Sequence, residues 1–189
     1  MGETGAALRD RILPMTPRPA PSHRRRFGLL GAAWLLAGAL PARALEAPTG
    51  KVVLTIGGVL GQTNDNGTAS FDLALLQTLP QHSFVTRTPW YPQPRKFSGV
   101  LVAELLAAVG APPTGTVRAL ALNDYRVEMP TAELVRHGAL IAHLLDDQPM
   151  AVREKGPLVI VFPFDDRPEL RSAVHYSRAI WQLRSLELR

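Results

Sequence analysis

The sequence contains no cysteine. That excludes disulfides, thiolate metal ligands and cysteine nucleophiles, whatever compartment the chain occupies. Aromatic side chains are scarce, at 6% of residues with three tryptophans and three tyrosines, so a site built on stacking has few residues to draw on. No apolar run reaches the roughly 20 residues that a membrane-spanning helix needs. The longest, Phe27 to Leu40, has 14.

A charge excess is present in the whole chain, at +5 with a sequence pI near 10.2, but it is confined to one end. Residues 1–44 hold seven arginines and two acids, whereas 45–189 hold 14 basic and 14 acidic residues. The body has no run of cations that could track phosphates, and a nucleic-acid partner is excluded. With 46% hydrophobic and 20% charged residues, that body is expected to be one globular domain, 45–189.

The basic end reads as an address. Arg24-Arg25-Arg26 precedes the apolar run, and Pro41-Ala42-Arg43-Ala44 supplies a small-x-small site, so a signal peptide cleaved after Ala44 and a periplasmic destination are expected. Arg24-Arg25-Arg26-Phe27 fits the centre of a twin-arginine signal, which exports folded proteins, and equally an ordinary secretory signal with three arginines. Met15 is an alternative start.

In the body, β-branched and apolar residues predict strands at 51–59, 83–88, 140–145 and 158–162. A hairpin with a two-residue turn at Asn123-Asp124 is expected over 116–129. Helices are expected over 71–79, capped by Ser70, over 100–109, stopped by Gly110, and over 132–136. Residues 176–188 read as a turn or short helix followed by a strand. Three prolines within Pro89-Trp90-Tyr91-Pro92-Gln93-Pro94 argue against either regular element there. Many short strands and few short helices indicate an α+β fold.

The usual catalytic patterns are missing. No two histidines sit at i, i+4, no Gly-x-Ser-x-Gly elbow occurs, and Gly57-Gly58-Val-Leu-Gly61 lacks the dinucleotide spacing. The pairs Asp146-Asp147 and Asp165-Asp166 stand beside prolines and read as solvated turns. No catalytic residue and no metal ligand is expected. What stands out is Thr86-Arg87-Thr88-Pro89-Trp90-Tyr91, with two hydroxyls, a guanidinium and two aromatics at a strand exit, where ligand sites are commonly built. Against this, Trp90 can simply cap the core while Arg87 faces solvent. Arg153, Lys155, Arg167, Arg171 and Arg178 would add an anion-binding rim if the fold gathers them.

The order of Thr88-Pro-Trp, Phe97-Ser-Gly-Val100, Leu105-Leu106, Gly110, Ala121-Leu-Asn-Asp-Tyr125, Met129-Pro130, Leu140-Ile-Ala142, Asp147-Gln-Pro-Met150 and Lys155-Gly-Pro-Leu158 resembles the oxidoreductase molybdopterin-binding domain of the sulfite-oxidase type, over roughly 51–188. The resemblance implies a mixed fold rich in short strands, export, and molybdenum-pterin redox chemistry in full members. Those members ligate molybdenum with a cysteine on the strand that falls here around Thr86 to Thr88. A threonine hydroxyl is a poor soft ligand, so thiolate-type molybdenum is not expected. The phosphate-holding segment of larger members is replaced by Pro163-Phe-Asp-Asp-Arg167.

Two functional readings follow. One is a binding or accessory module for a small anionic or pterin-like ligand, or for a periplasmic or membrane protein partner. The other is a molybdopterin-dependent oxidoreductase whose pterin is held by Arg87, Asn123 and Tyr125, with metal ligated by oxygen donors or left to a partner subunit. A ligand-free envelope domain would instead have its cleft filled by Trp90 and Tyr125.

Overall fold

The computed structural model describes residues 45–189, and the expected signal segment, 1–44, lies outside the described residues. Along the chain come β1 (Leu54–Gly58), β2 (Ala69–Phe71), α1 (Leu73–Thr78), β3 (Gln81–Thr88), β4 (Tyr91–Leu101) and α2 (Val102–Ala108). These are followed by β5 (Thr116–Ala121), β6 (Arg126–Pro130), α3 (Thr131–Arg136), β7 (Leu140–Leu145) and β8 (Gln148–Pro149). The last elements are β9 (Val159–Val161), α4 (Ala173–Arg178) and β10 (Leu183–Leu188). The architecture is the α+β arrangement that the residue patterns indicate.

Two five-stranded sheets are formed. The first has the order β2-β1-β10-β5-β6, with β1 and β10 parallel and the other neighbours antiparallel. In the second, β3, β4 and β7 lie side by side, and β8 and β9 share the remaining edge of β7. The sheets are joined where Ile160 N–H donates to the Ile180 carbonyl at 2.8 Å and Val159 bridges Trp181. Alternate burial follows the period-2 pattern: Val117, Ala119 and Ala121 of β5 are buried while their neighbours are half-exposed. Leu140 to His143 of β7 are all buried, as expected of a strand with neighbours on both sides. Phe71, Phe97, Phe162, Phe164 and Leu105 belong to one apolar cluster that both sheets share.

Four local expectations are corrected. Ser70 is in β2, and the cap of α1 is Asp72, whose carboxylate accepts Leu75 N–H at 2.8 Å and also the backbone N–H groups of Thr49 and Gly50. The helix therefore starts two residues later, because Ser70 is spent on a strand edge. The prolines at 92 and 94 lie inside β4. They are tolerated because β7 pairs with β4 only from Phe97 onward and the β3–β4 register shifts between Thr86 and Thr88, so few ladder bonds are required of this stretch. Val100 and Leu101 finish β4 rather than open α2. The β5–β6 turn has three residues: Ala121 N–H bonds to the Tyr125 carbonyl, and Asp124 takes the left-handed conformation at φ 63°.

Candidate functional site

The β3–β4 turn, the β5–β6 turn and α4 meet at one cleft. Thr88 ends β3, and its Oγ1 accepts the Tyr91 N–H at 3.0 Å. This Ser/Thr-type turn closes around Pro89 and Trp90 and sets the indole at the tip. On the facing turn, Asn123 Oδ1 accepts Tyr125 N–H at 3.2 Å. The Tyr125 hydroxyl donates to the Ser177 carbonyl at 2.8 Å, tying the turn to the last turn of α4. Between these elements lies a cavity of about 260 Å³ lined chiefly by Trp90, Asn123, Tyr125, Tyr176, Ile180 and Trp181.

A second cavity of about 250 Å³ shares Pro89 and Tyr176 with the first and is lined further by Arg87, Thr88, Phe164, Asp165 and Arg171. Asp165 organises it. Its carboxylate accepts the Arg87 backbone N–H at 3.0 Å and the Arg171 Nη2 at 2.7 Å, with Arg87 Nη1 at 3.4 Å from both oxygens. Its own backbone N–H donates to Thr86 Oγ1 at 3.1 Å. Arg171 is fixed in addition by Nε to the Phe164 carbonyl at 2.8 Å. Two guanidiniums thus converge on one carboxylate at the cleft wall.

Of the six residues singled out from sequence, Arg87, Thr88, Trp90, Asn123 and Tyr125 line this double cleft, and Thr86 lies buried behind it, fully enclosed. The Arg87 side chain is 57% exposed but paired with Asp165, and Trp90 both packs on the core and lines the cavity. The expected rim forms only in part. Arg171 joins the site, but Arg178 pairs with Glu133, Arg153 with Glu154, Arg167 donates to the Arg136 carbonyl, and Lys155 sits over the Tyr91 and Trp181 rings. Asp146-Asp147 is a turn, both residues having positive φ. Asp165 is not a solvated turn acid, because the chain reversal at 163–167 brings it against the end of β3. Tyr176 and Trp181 went unmarked in the sequence, since no motif surrounds them. The available signal was scarcity: both tryptophans among the described residues and two of the three tyrosines line one cavity.

Two histidines are core residues. His143 Nε2 lies 2.8 Å from Gln81 Oε1, and burial pushes its pKa below the ordinary value of 6.5. His137 packs edge-on to His175 with ring centroids 5.6 Å apart, and burial, then Arg136, lowers its pKa as well. Among the described residues no group of three or more histidines, aspartates or glutamates is placed to hold a metal.

The molybdenum-pterin group that the resemblance implies does not fit the donors at the expected strand. Thr86 Oγ1 is enclosed, accepts one bond and donates another to the Arg87 carbonyl at 3.2 Å, and Thr88 Oγ1 is taken by Tyr91 N–H. Neither hydroxyl is free to ligate a metal, and neither is the soft donor such a centre uses.

No protein-family model and no curated protein sequence matches the chain. Among solved structures, the crystal structure of the sulfane dehydrogenase SoxCD from Paracoccus pantotrophus is similar, with a TM-score of 0.53 at 16% sequence identity. The match covers 71% of this chain and 37% of that one. A likeness at that identity concerns the fold alone, a mixed α+β arrangement that the two chains share.

Proposed function

We propose that the chain is an exported, periplasmic binding or accessory module of the sulfite-oxidase-type fold. In this reading it has lost thiolate-ligated molybdenum chemistry and retains the cleft for a small anionic or pterin-like ligand. The observation that carries the reading is the open space between Trp90 and Tyr125. A domain without a ligand would close that space with the two side chains themselves, whereas both are held apart as walls, Trp90 by the Thr88-capped turn and Tyr125 by its bond to Ser177. The apolar walls exclude water from a bound ring, and Arg87 and Arg171 attract a negative group. In this reading the module binds and orients its ligand.

The test is metal and pterin analysis of the protein isolated from its native host. Substoichiometric molybdenum is expected, and stoichiometric molybdenum overturns the reading. Export is read by N-terminal sequencing of the secreted form, which is expected to begin at Leu45. Replacing Arg25 and Arg26 by lysine blocks export if the route is the twin-arginine one.

A further inference from the structure

On the outer face of the first sheet, Thr55 of β1 and Ser185 of β10 are register partners, so both side chains stand on one side while Leu54, Ile56 and Leu186 face the core. These small residues leave a groove of about 440 Å³, within the roughly 300–1,000 Å³ typical of small-molecule sites. Its apolar lining is aliphatic throughout, made by Val52, Val53, Leu122, Val152, Pro157 and Leu183, with no aromatic ring. Val52, Leu122 and Val152 are three of the seven large hydrophobic side chains exposed among the described residues, and such gathering marks a binding surface. Elsewhere this sheet face is charged: Arg118 pairs with Glu128 across β5 and β6, and Glu187 lies against Gly57. The apolar ground therefore ends at the groove, whereas a stable protein interface needs about 800 Å² per partner.

The charged lining has one sign. Lys51 and Arg184 border the groove, and no carboxylate does. Arg184 reaches Asp124 through Nη2 at 3.4 Å. Among the described residues, the Lys51 ammonium and the Thr55 and Ser185 hydroxyls have no hydrogen-bond or ion-pair partner. We infer that this groove is a second ligand site, one for an aliphatic acid. The chain of the ligand lies against Val52, Leu122, Val152 and Leu183, and Lys51 holds its anionic head, with the donors of Arg184, Thr55 and Ser185 completing the set. A flat ring finds no stacking partner here, and a cationic head meets two like charges. The groove shares no lining residue with the cleft at Trp90 and does not depend on it.

Calorimetry of the purified protein with octanoate, octanamide, octylammonium and hexanoate tests this. Octanoate is expected to bind about tenfold tighter than octanamide, the size of one charge-assisted hydrogen bond at a partly exposed site, and octylammonium more weakly than either. Hexanoate is expected to bind about tenfold more weakly than octanoate, because two methylenes are withdrawn from the aliphatic wall. Lys51→Gln, at an exposed residue ahead of β1, is expected to bring octanoate down to the level of octanamide and to leave octanamide unchanged. Leu122→Asp, at an exposed turn position, is expected to weaken both. Equal binding of octanoate and octanamide, equal binding of octanoate and hexanoate, a preference that survives Lys51→Gln, octanoate binding untouched by Leu122→Asp, or no binding of octanoate overturns the inference. Each of these outcomes leaves the reading of the cleft at Trp90 as it stands.

Discussion

Thr86 Oγ1 accepts the Asp165 N–H and donates to the Arg87 carbonyl, so valine, with the same shape, removes both bonds at once. The Asp165 N–H is then left unpaired beside a buried methyl group, a loss of about 1–3 kcal/mol. Chemical denaturation of Thr86→Val is expected to show that loss, and stability equal to the wild type would mean that water replaces the hydroxyl. His143 provides a second prediction at this scale. Its folded-state pKa is lowered by burial, so the unfolded chain binds the proton more readily, and this contribution to stability is complete above 6.5 and lost as pH falls below it toward the depressed folded value. His143→Gln keeps a donor for Gln81 and cannot titrate. It is expected to flatten the decline in melting temperature just below pH 6.5, with His137 contributing to the slope that remains and Asp72 and Asp146 adding to it at lower pH. An unchanged slope would assign the whole decline elsewhere. The residue scale also shows what sequence could and could not disclose. Thr86 to Trp90 were visible as a dense run of functional groups, but Asp165 and Arg171 join them only because the segment at 163–171 folds back onto the end of β3, a contact 79 residues away in sequence for Asp165 and Thr86.

At the scale of elements, β-branched periodicity made most strands legible, and the turn chemistry of Asp146-Asp147 was legible too, because short acids tolerate positive φ. The errors arose where tertiary context outweighed local preference. Pro92 and Pro94 sit in a strand because no β7 residue faces them, and Ser70 lost the capping role to Asp72 because β2 claimed it. Gly99 is the comparable case inside β4. A β-carbon there would lie 2.1 Å from the Ile141 carbonyl oxygen, at the point where the β4–β7 register shifts. The clash is with backbone, not with a flexible side-chain end, so β4 and β7 must move apart. Gly99→Ala is expected to cost about 1–3 kcal/mol, as overpacking of a close contact does. A variant as stable as the wild type would show that the bulge relaxes freely.

For the whole molecule, the pairing of β1 with β10 is the decisive feature. The strand nearest the start of the described chain pairs in parallel with the last one, and β10 is the central strand of the first sheet, flanked by β1 and β5. Its Leu183, Leu186 and Leu188 are buried in the common core, and the segment entering it carries Ile180 and Trp181, which bond to the second sheet and line the cleft. Removing 183–189 therefore does more than trim an edge. It leaves the facing edges of β1 and β5 unpaired, exposes core side chains on both, and frees the Trp181 wall of the site. Since β1 and β5 do not pair with each other, what remains of the first sheet is two separate two-stranded ribbons, β1–β2 and β5–β6, which are marginal on their own. The expectation is that a chain ending at Gln182 loses cooperative thermal unfolding, as read by calorimetry. A cooperative transition retained in that variant would show that the second sheet, with β4 and β7 at its centre, folds as an independent unit.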